Sequence, residues 1–210
     1  MRAKLKAQGM LKEPTLQVAK ARTTVNRKEA PMQGSPYVMA LDLSMAKTGL
    51  AWGVPGMSPD GTLTLKTPKE LKDAPEGERI AWMSSAIVQT TKKNRCNAVI
   101  FSEFYNASFM IAFRANVSLR GAVMGLLVEH GIEARGVAEV TARKAAGVDI
   151  SKRQEGEKDG FMKVRAKRTL ETFGLGHLKE DEGDAAILLL GATAFFQNET
   201  KAKYDLTDFQ

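Results

Sequence analysis

Residues 37–54 read YVMALDLSMAKTGLAWGV, two apolar runs parted by the turn-prone SMAK. Short runs rich in Val, Leu and aromatic residues, bounded by Ser, Lys and Gly, predict strands at about 37–43 and 48–54. A third strand-like stretch, 61–66, follows the breaker PGMSPDG, so the chain opens as an antiparallel meander. Asp42 is the anomaly in it. An aspartate is disfavoured in a strand unless the ladder ends there or its carboxylate binds something.

Downstream the pattern changes period. Residues 76–93 (EGERIAWMSSAIVQTTKK) set Ile80, Met83, Ile87 and Thr91 at helical spacing, and NAVIFSE then reads as a short buried strand closed by Glu103. A helix crossing to another strand is a βαβ unit. Residues 109–130 predict a long helix, apolar on more than one side and closed by Gly131. Its Gly121 and Gly125 either seat it on its own sheet or admit a second subunit. A strand at 132–139, a short helix after Thr141, the polar SKRQEGEKDG, and helices near 161–173 and 183–197 complete the order, with no internal repeat. The expectation is an α/β fold with a mixed five-stranded sheet flanked by helices.

With 210 residues and 43% hydrophobic content the chain supports one core, placed at 36–200 and followed by a tail at 201–210. The net charge is +7, and residues 1–35 carry eight Lys and Arg against Glu13 and Glu29. This basic arm reads either as a solvated disordered segment or as an electrostatic arm along a nucleic-acid backbone. Cys96 stands alone, and Cys96, His130 and His177 are too scattered for zinc, so neither a disulfide nor a zinc site is expected and a reducing cytoplasm fits. No run has the length of a membrane span, and no secretory signal is visible. The Arg/Lys-rich start leaves an organellar transit peptide as an alternative.

Four acids sit where elements end: Asp42, Glu103, and Asp181 with Asp184 spaced i, i+3 ahead of AAILLLGATAFF. Carboxylates gathered in one place repel unless a cation intervenes, which suggests Mg²⁺. Together with a basic surplus, such a cation implies chemistry on phosphates. Bland readings stand beside the sharp one. Asp181 and Asp184 would also favour a helix start, Glu103 would also serve as an exposed strand-end charge, and His177 fits a surface turn. Lys152, Arg153, Lys158, Lys163, Arg165, Lys167 and Arg168 read as a solvated face or as phosphate contacts.

Three segments, ALDLSMAKTGLAW, VIFSEFY and DEGDAAILLLGA, in this order and with these gaps, resemble the RuvC-type Holliday junction resolvases, of ribonuclease H-like topology. The resemblance spans about 37–197. It implies a homodimeric DNA endonuclease of phage type, acting on four-way junctions and other branched DNA in a bacterial or phage-infected cytoplasm, with two Mg²⁺ per site and Mn²⁺ as a substitute. It assigns Asp42 as the bridging ligand, Glu103 to one ion, and Asp184 with Asp181 to the other, all four being catalytic. Paired nicks in strands of like polarity would follow from the dimer's symmetry.

The basic stretch before Thr169 resembles the family's later basic region without aligning to a single family lysine; Lys152, Arg153, Lys158 and Lys163 are the candidates for DNA contact, and Lys158 or Lys163 the candidates for neutralising the scissile phosphate. The family's base-probing aromatic falls here on Asn106. Among its neighbours Phe104 and Phe109 read equally as core, which leaves Tyr105 as the exposed stacking candidate. Three other readings remain: a related nuclease with relaxed branched-DNA specificity, a noncatalytic nucleic-acid-binding module, and an actin-like phosphate-binding fold suggested by LDLSMAKTG. The last lacks a second glycine-rich phosphate loop.

Overall fold

The computed structural model describes residues 36–103 and 110–196. The arm at 1–35, the tail at 201–210, and Phe104, Tyr105, Asn106 and Phe109 lie outside the described residues. Five strands form one sheet in the order β3-β2-β1-β4-β5. They are β1 (Val38–Asp42), β2 (Lys47–Gly53), β3 (Gly61–Lys66), β4 (Ala98–Glu103) and β5 (Glu133–Ala138). The first three pair antiparallel, whereas β4 runs parallel to both β1 and β5. The meander and the crossover are therefore both present, and the sheet is mixed as its sequence predicts.

Alternation along the strands makes two cores. Met39, Leu41, Leu50, Val99 and Phe101 point to one face, covered by α1 (Glu76–Lys93) and α2 (Met110–Glu129). Val38, Ala40, Ala51, Ala98, Ile100 and Val137 point to the other, covered by α3 (Glu139–Ala145), α4 (Phe161–Thr172) and α5 (Glu180–Gly191). A last short helix, α6 (Thr193–Phe196), follows. The second face is lined with small residues, which lets α5 lie close to the sheet, buried without a break from Ala185 to Leu190. Truncating fully buried Leu189 to Ala there costs about 2–5 kcal/mol.

Glycines fix how close α5 comes. A Cβ on Gly49 of β2 would stand 1.9 Å from the Asp181 carbonyl oxygen, and one on Gly191 would stand 2.1 Å from that of Ala142. Both contacts are backbone to backbone, so neither yields by a rotamer change. Gly49 pairs in register with Asp42, and the glycine of KTG is thus what allows the start of α5 to settle over the end of β1.

The connection between β1 and β2 is tied by its own side chains. The Thr48 hydroxyl donates to the Ser44 carbonyl at 2.9 Å and accepts from the Ser44 amide at 3.3 Å. Thr48 is fully buried, so the DLSMAKTG pattern is explained as a hairpin fastening and does not need a phosphate. Two element starts move from their expected places. The helix expected at 183–197 begins at Glu180 and breaks after Gly191, and the one expected after Thr141 begins at Glu139. In each case acids occupy the first turn, where the helix dipole favours them.

Candidate active site

Asp42 is the last residue of β1, on the face covered by α3 and α5. A small pocket at this edge is lined by Asp42, Ser102, Glu139, Arg143, Asp184, Ile187 and Leu188. Leu41 pairs with Phe101, and one position further along Asp42 and Ser102 both open into the pocket. Asp184 reaches it from the first turns of α5, and Glu139 and Arg143 reach it from α3. Burial, with Asp184, Asp181 and Glu139 close by, pushes the Asp42 carboxyl up to about 7, and the Arg143 guanidinium only partly offsets this. Burial also raises Asp184 above the usual carboxylate range, against the pull of Arg143.

Arg143 is the local counter-ion. Its guanidinium pairs with Glu139 one helical turn away and lies 3.7 Å from Asp184 Oδ1. The acids at the start of α5 are each addressed differently. Glu180 pairs with Lys163, Asp181 presents its carbonyl to Gly49, and Glu182 accepts from the Thr64 hydroxyl at 3.0 Å. Lys179 is the N-cap residue, so neither Asp181 nor Asp184 caps the helix; Asp181 lies in the first turn, where the dipole favours it, and Asp184 lies beyond that turn, where the helix start does not account for it.

Glu103 departs from the expected convergence. The strand remains regular to its end, where Glu103 pairs in register with Ala138. Alternation then sends Ser102 into the pocket and Glu103 to the opposite face, with Phe101. There the Glu103 carboxylate accepts from Arg120 of α2 at 2.8 Å and packs where a Cβ on Gly136 would stand. Arg120 in turn lies over the Phe101 ring, 4.8 Å from its centroid. The structure therefore unites Asp42 with Asp184, keeps Asp181 within electrostatic reach, and holds Glu103 apart.

Glu139 is a further acid at an element end, which the sequence does not single out. It directly follows β5 and has the parity of Val137, which faces the α3/α5 core. Its signal was masked because GVAEVTARK reads as a strand running on into a helix. Of the basic candidates, Lys163 lies beside α5 and draws Asp184 downward, while Lys152, Arg153 and Lys158 lie on an exposed segment before α4.

Hard carboxylate oxygens make up the donor set of the pocket, with no thiolate or imidazole, and their mutual repulsion is what a divalent cation relieves. In kind the residues fit Mg²⁺. They are not drawn together in advance: among the described residues no three His, Cys, Asp or Glu side chains gather closely enough to share an ion. Among the described residues, too, no helix is long and apolar enough to cross a membrane.

No protein-family profile matches the chain, and no curated protein matches it either. Solved structures do. Thermus thermophilus RuvC in complex with a Holliday junction substrate superposes with TM-score 0.56 at 16% identity, over 78% of this chain and 96% of that one. A second structure of Thermus thermophilus RuvC gives 0.58 at 15% identity with the same coverages, 78% and 96%. The yeast mitochondrial Holliday junction resolvase Ydc2 gives 0.54 at 10% identity, over 86% and 87%. The chain has the ribonuclease H-like fold that these Holliday junction resolvases share.

Proposed function

We propose that this chain is a divalent-cation-dependent DNA nuclease that resolves four-way junctions by phosphodiester hydrolysis. The observation that carries the reading is the placement of the Asp42 carboxyl at a strand end of this fold, in one pocket with Asp184 and Glu139, where burial first and the neighbouring acids second push it up to about 7. When bound, two Mg²⁺ ions, or Mn²⁺ in their place, would supply the activated water and the charge stabilisation that phosphodiester hydrolysis requires. Asp42 would hold the ions together with Asp184 and Asp181 from α5.

Glu139 joins Asp42 from within the pocket. Glu103 would join them only if the end of β4 turned over to the pocket face, which opposes its recruitment more than its partly exposed pair with Arg120, worth no more than about 1 kcal/mol. Arg143 offsets part of the pocket's negative charge and is placed to meet a phosphate oxygen when one enters. Lys152, Arg153, Lys158 and Lys163 supply phosphate contacts beside the site, so binding falls steeply with salt. Tyr105, outside the described residues, is the candidate for base stacking.

A homodimer completes the proposal, since two sites are needed to nick a junction in paired strands. Support for it lies on α2. Among the described residues, and the helix's own backbone apart, nothing comes within 4 Å of a Cβ built on Gly121 or Gly125, and Val117 and Val128 on this helix are exposed. A cytoplasmic setting suits such a substrate. The test is cleavage of a labelled mobile four-way junction and of linear duplex by purified protein with Mg²⁺. Selective paired nicking of the junction is expected. Equal rates on both substrates would leave a nuclease of relaxed specificity, and no cation-dependent cleavage of either would leave a binding module.

A further inference from the structure

The segment between α3 and α4 has no regular secondary structure, and from Ser151 to Gly160 every residue is exposed except Glu157. Left to itself, a loop of this composition would pay a large entropic cost to hold one shape. Arg165, buried on α4 at 6% exposure, is what fastens it. Its Nε and one terminal nitrogen donate to the two Glu157 carboxylate oxygens at 2.9 and 2.7 Å. The other terminal nitrogen donates to the carbonyls of Asp149 and Ser151 at 3.1 and 3.0 Å and to the Ser151 hydroxyl at 3.1 Å. The Phe161 ring closes one side of the guanidinium, 4.8 Å away.

Glu157 is the matching half. It also accepts from the Gln154 amide at 2.7 Å, and its carbonyl accepts from Arg153 Nε at 2.6 Å. With Arg153 bound further to Asp159, among the described residues Lys152 and Lys158 make no ion pair and stand out from the fastened loop. The loop leads directly into α4, whose Lys163 pairs with Glu180 beside the pocket. Only a planar fork with five donors can meet a carboxylate and two carbonyls at once, so lysine does not substitute for Arg165.

We propose that the Arg165–Glu157 clasp is a positioning device, which preorganises the loop at 149–160 so that Lys152 and Lys158 meet nucleic-acid phosphates flanking the pocket. The proposal rests on the nuclease reading of that pocket. Neither clasp residue touches nucleic acid in this arrangement. Glu157→Gln separates the clasp from plain charge attraction, because it makes the loop one unit more positive. A merely charged, solvated face would then bind DNA as tightly as before or more tightly, whereas an unfastened loop binds more weakly.

The experiment measures binding of a labelled four-way junction without divalent ions, for wild type, Glu157→Gln, Arg165→Lys, and Lys152→Ala/Lys158→Ala introduced into wild type and into Glu157→Gln. Amide exchange across 149–159 is followed in parallel. The expected result is a dissociation constant raised about fivefold or more in both clasp variants, faster exchange confined to the loop, and a smaller cost of removing the lysines once Glu157 is changed. Unaltered or tighter binding by Glu157→Gln overturns the clasp, as does weaker binding with unaltered loop exchange. If wild type fails to bind branched DNA at all, the nuclease reading falls and takes the clasp with it; if wild type binds and only the variants behave contrarily, the clasp alone falls.

Discussion

Two strand-end glutamates at the same edge of the sheet meet opposite surroundings. Glu139, following β5, faces α5 with Asp42 and Asp184, and shares them with Arg143. Glu103, closing the adjacent β4, faces α2, where Arg120 holds it over Gly136. The difference is one of parity. A side-chain period of two gives adjacent residues opposite faces, so an acid that ends a strand belongs to a site only if its count from the core residues agrees. The crowded face is short of positive charge and the other face is balanced, which makes the first a place for a cation.

Removing the shared member of the crowded face has the largest expected effect. Asp42→Asn should lower divalent-dependent junction cleavage by at least about 10²-fold, the loss expected when one charge-stabilising group of a preorganised set goes, while junction binding without divalent ions is retained. Cleavage within about twofold of wild type would place the chemistry elsewhere. Next comes the support under that face. Gly49→Ala sets a methyl against the Asp181 carbonyl, and should destabilise the fold by roughly 2–3 kcal/mol in denaturant melts and depress cleavage as α5 is displaced. A neutral result would mean α5 does not depend on the close approach at Gly49.

The pH dependence of stability sharpens the contrast. A carboxyl raised from 3.8 to about 7 binds its proton more tightly folded than unfolded, so stability without divalent ions falls as pH rises from about 4 to about 7 and stays low above. Over that window Asp42 accounts for up to roughly 4 kcal/mol, less whatever the fold relaxes. Thermal melts at pH 5 and pH 8 should differ clearly in wild type and much less in Asp42→Asn, and Mg²⁺ at pH 8 should restore part of the difference. A wild type more stable at pH 8 would contradict the crowding.

Comparison of the two glutamates gives a smaller effect. In the DNA-free protein, Glu139→Gln should weaken Mn²⁺ affinity about tenfold and Glu103→Gln no more than about twofold, because Glu103 is occupied by Arg120; the reverse order, read by titration, breaks the comparison. Smallest of all, Arg120→Gln should cost about 1 kcal/mol or less in stability, since its pair with Glu103 is partly solvated.

The fold was largely legible in the sequence because its signals are local. YVMALDLS, KTGLAWG and NAVIFSE alternate or run apolar over strand lengths, and the intervening stretch keeps helical period. Asp42 and Asp184 were legible for a related reason, an acid abutting an apolar run. What sequence could not supply was the relation between strands. Whether Glu103 or Ser102 shares the face of Asp42 depends on register with β1, and register is set by packing of the whole sheet. Glu139 was hidden by continuity between β5 and α3, and Arg165, one cation among seven between 152 and 168, gave no sign that it alone turns inward. Gly49 shows the opposite case: its place in KTG was visible, but its cause, the carbonyl of a residue 132 positions later, was not.

Calorimetric titration of Mn²⁺ into the DNA-free protein near pH 7, in buffers of different ionisation enthalpy, tests the account at its centre. At that pH Asp42 is about half protonated, so an ion bound by its carboxylate must release protons. The account predicts saturable binding with proton release in wild type, and loss of both in Asp42→Asn. Absence of saturable binding, or binding that Asp42→Asn leaves intact, would contradict it.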